Sequence, residues 1–210
     1  MDAPGMAQGL PSPSGWYPAA FGPPPTKKIL YLTFDDGPSR ETTPKVLALL
    51  RANGAHATFF MTGWASVYKG IVRKVYKQGN AIGDHTRTHI DLTKASPKEI
   101  RAQLSFVANK VGPIMGNCMR PPFGMINKKV GKVVEDMGMT PILWTGHAQD
   151  WAPPSIETME SMLKEHTKPG AVILMHDSKD HPKTVEVLAK MLPWWKKQGY
   201  EFDTIPACRK

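Results

Sequence analysis

From Lys27 onward the chain alternates short apolar runs with longer segments in which apolar positions recur at helical spacing. Residues 29–34, 57–61, 81–83, 118–120, 140–144, 171–175 and 201–204 read as strands, being short and bounded by Gly, Pro or polar residues. Between them, residues 43–52, 66–78, 97–111, 127–137, 155–166 and 183–198 read as helices. Start and stop signals support these bounds. Thr43-Pro44 supplies a cap and a proline at the first turn, Ser96-Pro97-Lys98-Glu99 is a capping box, and Gly54 and Gly79 follow helix ends.

The strand-helix order argues for parallel strands with helices outside. No glycine-rich dinucleotide fingerprint follows any strand, which disfavours a doubly wound sheet. The expected fold is α/β, a distorted (β/α) barrel of about seven strand-helix pairs, with its chemistry at the C-terminal strand ends. Residues 1–25 differ, being rich in Pro, Gly, Ala and Ser. They read as a linker or unfolded segment, or as the end of a longer extracellular protein, leaving 26–210 as the catalytic domain. No leader of basic then apolar residues is visible, and no apolar stretch is long enough to span a membrane.

The polar clusters fall at the predicted strand ends. Asp35 and Asp36 close the first run and precede Gly37-Pro38. Two adjacent carboxylates there carry a desolvation cost that calls for a cation. His85 and His89 are four residues apart, a spacing that on a helical turn presents both rings to one metal ion. Two histidines and a carboxylate form a catalytic metal set with positions left open. Arg120-Pro121-Pro122-Phe123-Gly124 is a stiff loop whose arginine can pair with a carboxylate. Asp150-Trp151 follows the fifth run, and Leu174-Met175-His176 ends the sixth.

Composition adds two points. Lysine and arginine number 27 against 18 aspartate and glutamate, a net charge of +9, which favours an anionic partner such as a cell-wall polymer. No basic block is dense enough for a nucleic-acid arm. Cys118 and Cys208 are the only cysteines and form no metal spacing. They are either one disulfide, which would imply an oxidising compartment, or two buried thiols.

Together these motifs resemble the polysaccharide deacetylase family, carbohydrate esterase family 4, over roughly residues 27–205, with Thr33-Phe34-Asp35-Asp36-Gly37, His85-Thr86-Arg87-Thr88-His89, Arg120-Pro121-Pro122-Phe123-Gly124, Asp150-Trp151 and Leu174-Met175-His176 in order. The resemblance implies that Asp36, His85 and His89 bind a divalent metal, zinc first, with cobalt or another transition metal as alternatives. It implies Asp35 as general base, Arg120 holding Asp35 ionised, His176 as general acid, and Asp150 orienting His176 and raising its pKa. It implies the Phe123 N–H at the oxyanion, and Trp151 and Leu174 around the acetyl methyl.

The implied partner is an N-acetylated glycan, peptidoglycan before chitin oligomers. No nucleic acid is implied; a monomer outside the cell or on its wall is expected. Competing readings are an O-acetyl esterase on xylan, a non-catalytic carbohydrate-binding protein and a metal-dependent nuclease. One departure from the family pattern is His147, where an acidic residue is frequent. His56, His166 and His181 read as structural or surface residues, and Trp16, Trp64, Trp194 and Trp195 as core or linker.

Overall fold

The computed structural model describes residues 27–152 and 154–210. The Pro/Gly-rich segment at 1–25, with Trp16, lies outside them. Eight strands are present among the described residues: β1 Ile29–Asp35, β2 Ala57–Met61, β3 Ala81–Asp84, β4 Cys118–Met119, β5 Thr140–Pro141, β6 Gly146–His147, β7 Val172–His176 and β8 Glu201–Phe202. Six α-helices accompany them: α1 Thr43–Ala52, α2 Lys69–Lys77, α3 Pro97–Val111, α4 Lys128–Asp136, α5 Ile156–Glu165 and α6 Pro182–Lys197.

All strand pairs are parallel, in the order β5-β4-β3-β2-β1-β7-β6, with β8 pairing the start of β1. The two end strands, β5 and β6, do not pair with each other, so the curled sheet is a barrel left open on one side. The sequence expectation of a distorted α/β barrel holds.

The period of two sorts the side chains of β1. Leu30, Leu32 and Phe34 enter the main core with Val46, Leu47 and Leu50 of α1 and Leu188 and Met191 of α6. Tyr31 faces the other way and packs with Phe60, Ala81, Ile142, Val172 and Ile205. Thr33 and Asp35 share that second face. Two polar residues therefore stand near the mouth of the barrel interior, on the same face as Tyr31.

Three local expectations change. Residues 66–78 are not one helix: Gly63–Ser66 form a 3-10 turn, and α2 starts only at Lys69. That turn is pinned instead to a neighbouring loop, where the Gly63 N–H donates to the Arg87 carbonyl at 3.1 Å. The strand expected at 140–144 shrinks to two residues. Pro141 has no N–H to give, and the carbonyls of Ile142 and Leu143 accept from the Arg120 guanidinium at 3.2 and 3.1 Å. The cap of α1 is Thr42, not Thr43. The Thr43 hydroxyl bonds Asp177 Oδ2 at 2.5 Å. By contrast, Ser96 Oγ caps α3 by accepting from the Glu99 N–H at 3.2 Å.

Cys118 and Cys208 are disulfide-bonded, with Cα atoms 5.1 Å apart. The bridge ties β4 to the C-terminal turn Pro206–Cys208. Gly116 lets the two segments meet, because a Cβ there would stand 2.2 Å from the Cys208 carbonyl oxygen.

Candidate active site

Strand register assembles the site. Asp35 ends β1 directly beside His176, which ends β7. Asp84 ends β3 opposite Met119 of β4, and the Arg120 N–H continues the ladder to the Asp84 carbonyl at 2.8 Å. The loops after β1, β3, β4 and β7 thus start from one rim of the barrel.

Arg120 is fully buried and reaches across the barrel interior. Its Nη1 donates to Thr33 Oγ1 and to Asp35 Oδ1, each at 2.8 Å. Its guanidinium also lies 4.3 Å from the Phe60 ring centroid. These contacts fix Asp35 in one orientation. Burial nevertheless lifts the Asp35 carboxyl above its ordinary range, and Arg120 offsets only part of this. Arg120 acts to keep Asp35 ionised, but at this depth desolvation outweighs one ion pair.

Asp36 leaves the strand with φ of 70°. That left-handed turn carries its carboxylate away from Asp35 and toward the histidines. Its Oδ1 lies 3.4 Å from His85 Nε2 and 3.4 Å from His89 Nε2. The two imidazoles do not meet on a helical turn as the spacing suggests. They sit on a loop held by left-handed residues, Thr86 and His89, with φ of 66° and 53°. Thr86 N–H donates to Asp84 Oδ1 at 2.7 Å, and His89 N–H to Thr86 Oγ1 at 3.0 Å. Their ring centroids end up 4.9 Å apart.

The donor chemistry fits a metal ion. His85 Nδ1 is 2.7 Å from the Arg120 carbonyl, which can only accept, so Nδ1 carries the proton and Nε2 presents a lone pair. Burial is the main cause that lowers the His85 pKa to about 3, so the ring is neutral. A neutral nitrogen lone pair and a carboxylate oxygen facing each other are mutually repulsive without a cation between them. Asp36 Oδ1 is buried and accepts no hydrogen bond. One ligand atom from each of Asp36, His85 and His89 lies within 4.8 Å of the others. These three residues form a group able to hold a metal ion.

His176 stands on the far side of Asp35. Its Nδ1 is 2.8 Å from Asp150 Oδ1, and its backbone N–H donates to Asp150 Oδ2 at 2.7 Å. Thr184 Oγ1 donates to the same Oδ2 at 2.6 Å. Burial pulls the His176 pKa down, but Asp150 more than reverses this and the value rises to about 9. Burial likewise pushes Asp150 up, and the facing His176 with its hydrogen bonds brings the carboxyl below its ordinary range. Both partners shift in the directions an ion pair requires.

The remaining residues line the mouth. The Phe123 ring packs edge-on against His89, centroids 4.6 Å apart, on a backbone with φ of 59°. Trp151 packs against His176 at 5.8 Å. Leu174 is buried and pairs in register with Thr33 and with His147. The structure brings every residue singled out from the motifs to one rim.

Sequence reasoning missed several neighbours. His181 stacks on His176 with centroids 4.8 Å apart, and His166 packs 5.0 Å from His147, which itself packs 5.0 Å from Trp151. His166 and His181 were expected to be structural or surface residues, and both pack against residues of the motif loops. Asp177 is buried beneath the Asp36-Gly37 turn, and a Cβ on Gly37 would stand 2.2 Å from its Oδ1. Burial pushes the Asp177 carboxyl up to about 7. The clearest signal lies in the backbone. All five non-glycine residues with positive φ among the described residues, Asp36, Thr86, His89, Phe123 and Gln149, sit in the motif loops.

Comparison with known proteins places this geometry. Residues 22–142 match the family model described as polysaccharide deacetylase. A peptidoglycan-N-acetylglucosamine deacetylase of Bacillus cereus is 38% identical over 191 residues, covering 87% of this chain and 88% of the relative. A chitooligosaccharide deacetylase of Azorhizobium caulinodans is 35% identical over 153 residues, covering 70% of this chain and 73% of the relative. A crystal structure of a peptidoglycan N-acetylglucosamine deacetylase in complex with 4-naphthalen-1-yl-N-oxidanyl-benzamide superposes with a TM-score of 0.83 at 32% identity, covering 89% of this chain and 90% of that one.

Proposed function

The chain belongs to the polysaccharide deacetylase family, and from that premise we propose that it removes N-acetyl groups from the N-acetylglucosamine residues of peptidoglycan, with chitin oligomers as the next substrate. The observation that carries the reading is the juxtaposition of the Asp36, His85, His89 triad with a buried carboxylate, Asp35, and a histidine charged by Asp150, His176.

A divalent metal, zinc by preference for two imidazoles and one carboxylate, would be held by Asp36, His85 and His89 and would polarise the acetamide carbonyl and acidify water. Asp35, held by Arg120, takes the proton of the attacking water. The water oxygen adds to the carbonyl carbon, and the Phe123 N–H donates to the developing oxyanion. An oxyanion donor of this kind is worth roughly 3 kcal/mol. His176, charged below about pH 9, gives its proton to the amine nitrogen as the C–N bond breaks. Asp150 keeps His176 charged and oriented. Acetate and a free amine leave. Trp151 and Leu174 enclose the acetyl methyl.

Residues 26–210 constitute the catalytic domain. The enzyme acts as a monomer outside the cell or on its wall, and not on nucleic acid. The Cys118–Cys208 bridge supports an oxidising compartment, and the net charge of +9 supports an anionic wall. No helix among the described residues is long and apolar enough to cross a membrane. Mass spectrometry of peptidoglycan fragments after incubation with the enzyme tests the reading. Loss of one acetyl group per glucosamine is expected. Acetate released only from acetylated xylan would replace the amidase reading with an esterase.

A further inference from the structure

Asp150 fixes one atom of the His176 ring, Nδ1, and a ring held by its stem and one atom keeps some freedom to tilt. The first turn of α6 restricts that freedom. The His181 imidazole lies nearly parallel to that of His176, with planes 22° apart and centroids 4.8 Å apart. Trp151, the other ring packed against His176 among the described residues, meets it at 76° and 5.8 Å. Only His181 therefore lies flat along the general acid.

His181 is itself anchored. It stands at the N-terminal cap of α6, yet its side chain makes no capping bond. Its Nδ1 lies 2.6 Å from Ser178 Oγ, and its backbone N–H donates to the Ser178 carbonyl at 3.3 Å. Pro182 follows and fixes the backbone at the first helical position. The same turn reaches the rest of the acid's surroundings. Thr184 donates its hydroxyl to Asp150 Oδ2 at 2.6 Å and its N–H to the His181 carbonyl at 3.3 Å. Lys183 Nζ donates to the Pro154 carbonyl at 2.8 Å, tying α6 to the segment that follows Asp150-Trp151. Residues 181–184 thus touch the acid's ring, its carboxylate partner and the chain that carries that carboxylate. Starting a helix requires none of these contacts.

A ring stacked on an imidazolium must be uncharged, because two cations at this distance repel. Burial, then the charge on His176, lower the His181 pKa, opposed by Asp150, Asp36 and Asp180. At pH 8 His181 is neutral while His176 is charged.

Resting on the deacetylase reading, we propose that His181 is a positioning residue for the general acid: its ring, stacked on His176, holds the imidazole in the orientation that keeps Nδ1 on Asp150 and leaves Nε2 free for the departing amine.

The leaving group separates this role from a merely structural one. The amine of a deacetylated glucosamine must be protonated to leave, whereas p-nitrophenyl acetate releases p-nitrophenolate without a proton. His181→Ala is expected to lower kcat for acetate release from chitotetraose by about tenfold, with KM and p-nitrophenyl acetate hydrolysis each changed by less than about twofold. His181→Phe, which keeps a flat uncharged ring, is expected to recover most of the loss. Circular dichroism checks the fold of both variants. Independently of turnover, NMR of histidine-labelled protein follows exchange of the His176 Nδ1 proton with water. That exchange is expected to quicken by about tenfold in His181→Ala and to stay near the wild-type rate in His181→Phe. Equal losses on amide and ester, or wild-type deacetylation in His181→Ala, overturn the positioning role. A phenylalanine variant no better than alanine overturns the stacking. Wild-type protein that hydrolyses p-nitrophenyl acetate and no N-acetylated glycan overturns the deacetylase reading, while an exchange rate unchanged in His181→Ala overturns the hold of His181 on His176 whatever the substrate.

Discussion

Replacing Asp150 with asparagine is expected to move the alkaline limit of activity, not merely to lower the rate. In the folded protein burial acts to discharge His176, and Asp150 reverses this to give a pKa of about 9 against an ordinary 6.5. That rise corresponds to roughly 3 kcal/mol in favour of the imidazolium, at about 1.4 kcal/mol per pKa unit. A raised histidine pKa contributes its stabilisation in full below the unfolded value of 6.5 and loses it as pH climbs through about 9. The same window governs a general acid, which must be charged to donate.

In Asp150→Asn the carboxylate is gone and burial remains, so the His176 pKa falls to about its ordinary value or below. At pH 8 the charged fraction then drops from nearly all to a few per cent, a loss of roughly 30-fold or more in kcat/KM. At pH 6 the loss from protonation is no more than a few-fold. The assay is the pH profile of acetate release for both proteins between pH 5 and 10, with circular dichroism confirming the fold. An alkaline limb that stays near pH 9 in the variant, with a uniform loss at every pH, would refute the electrostatic role and leave Asp150 a purely geometric support.

Asp35→Asn is expected to lower kcat by about 10²–10⁴-fold without weakening metal binding, since Asp35 lies outside the triad; acetate release and a metal titration check both halves. His85→Ala is expected to weaken zinc binding by more than the roughly 10–100-fold typical of losing a supporting contact, read by competition with a chromophoric chelator. Opening the Cys118–Cys208 bridge, which spans 90 residues, by a double alanine substitution is expected to cost about 4 kcal/mol of stability in denaturant titration; a change below about 1 kcal/mol would show that the unfolded chain is little constrained by it.

The strand ends carried most of what the sequence revealed. Asp35, Arg120, Asp150 and His176 fall where parallel-strand logic puts chemistry, and register in the structure brings Asp35 beside His176. What the sequence could not convey was how the loops turn. Asp36 reaches the histidines only because its φ is 70°, and the His85–His89 pair closes on a loop of left-handed residues and not on a helix. Nothing in the residue types at Thr86 or Phe123 announces positive φ, because glycine is the usual sign and is absent there. Short strands were equally hard to see. The pair Gly146–His147 is too brief to show a period, and Arg120 takes two carbonyls from the segment expected to form the fifth strand. Trp64, which is 54% exposed, was misplaced for a related reason: its turn is fixed by the tertiary approach of Gly63 to the distant Arg87, whereas His181 lies only five residues beyond His176 and folds back onto it within one loop.

The central claim is a metal-dependent deacetylase built on Asp36, His85 and His89. The most direct measurement is acetate release from purified peptidoglycan and from N-acetylglucosamine oligomers, before chelation, after chelation, and after zinc or cobalt is restored. The account predicts release that chelation abolishes and metal recovers. Release that persists in metal-free protein, or no release from either glycan with metal bound, would contradict it.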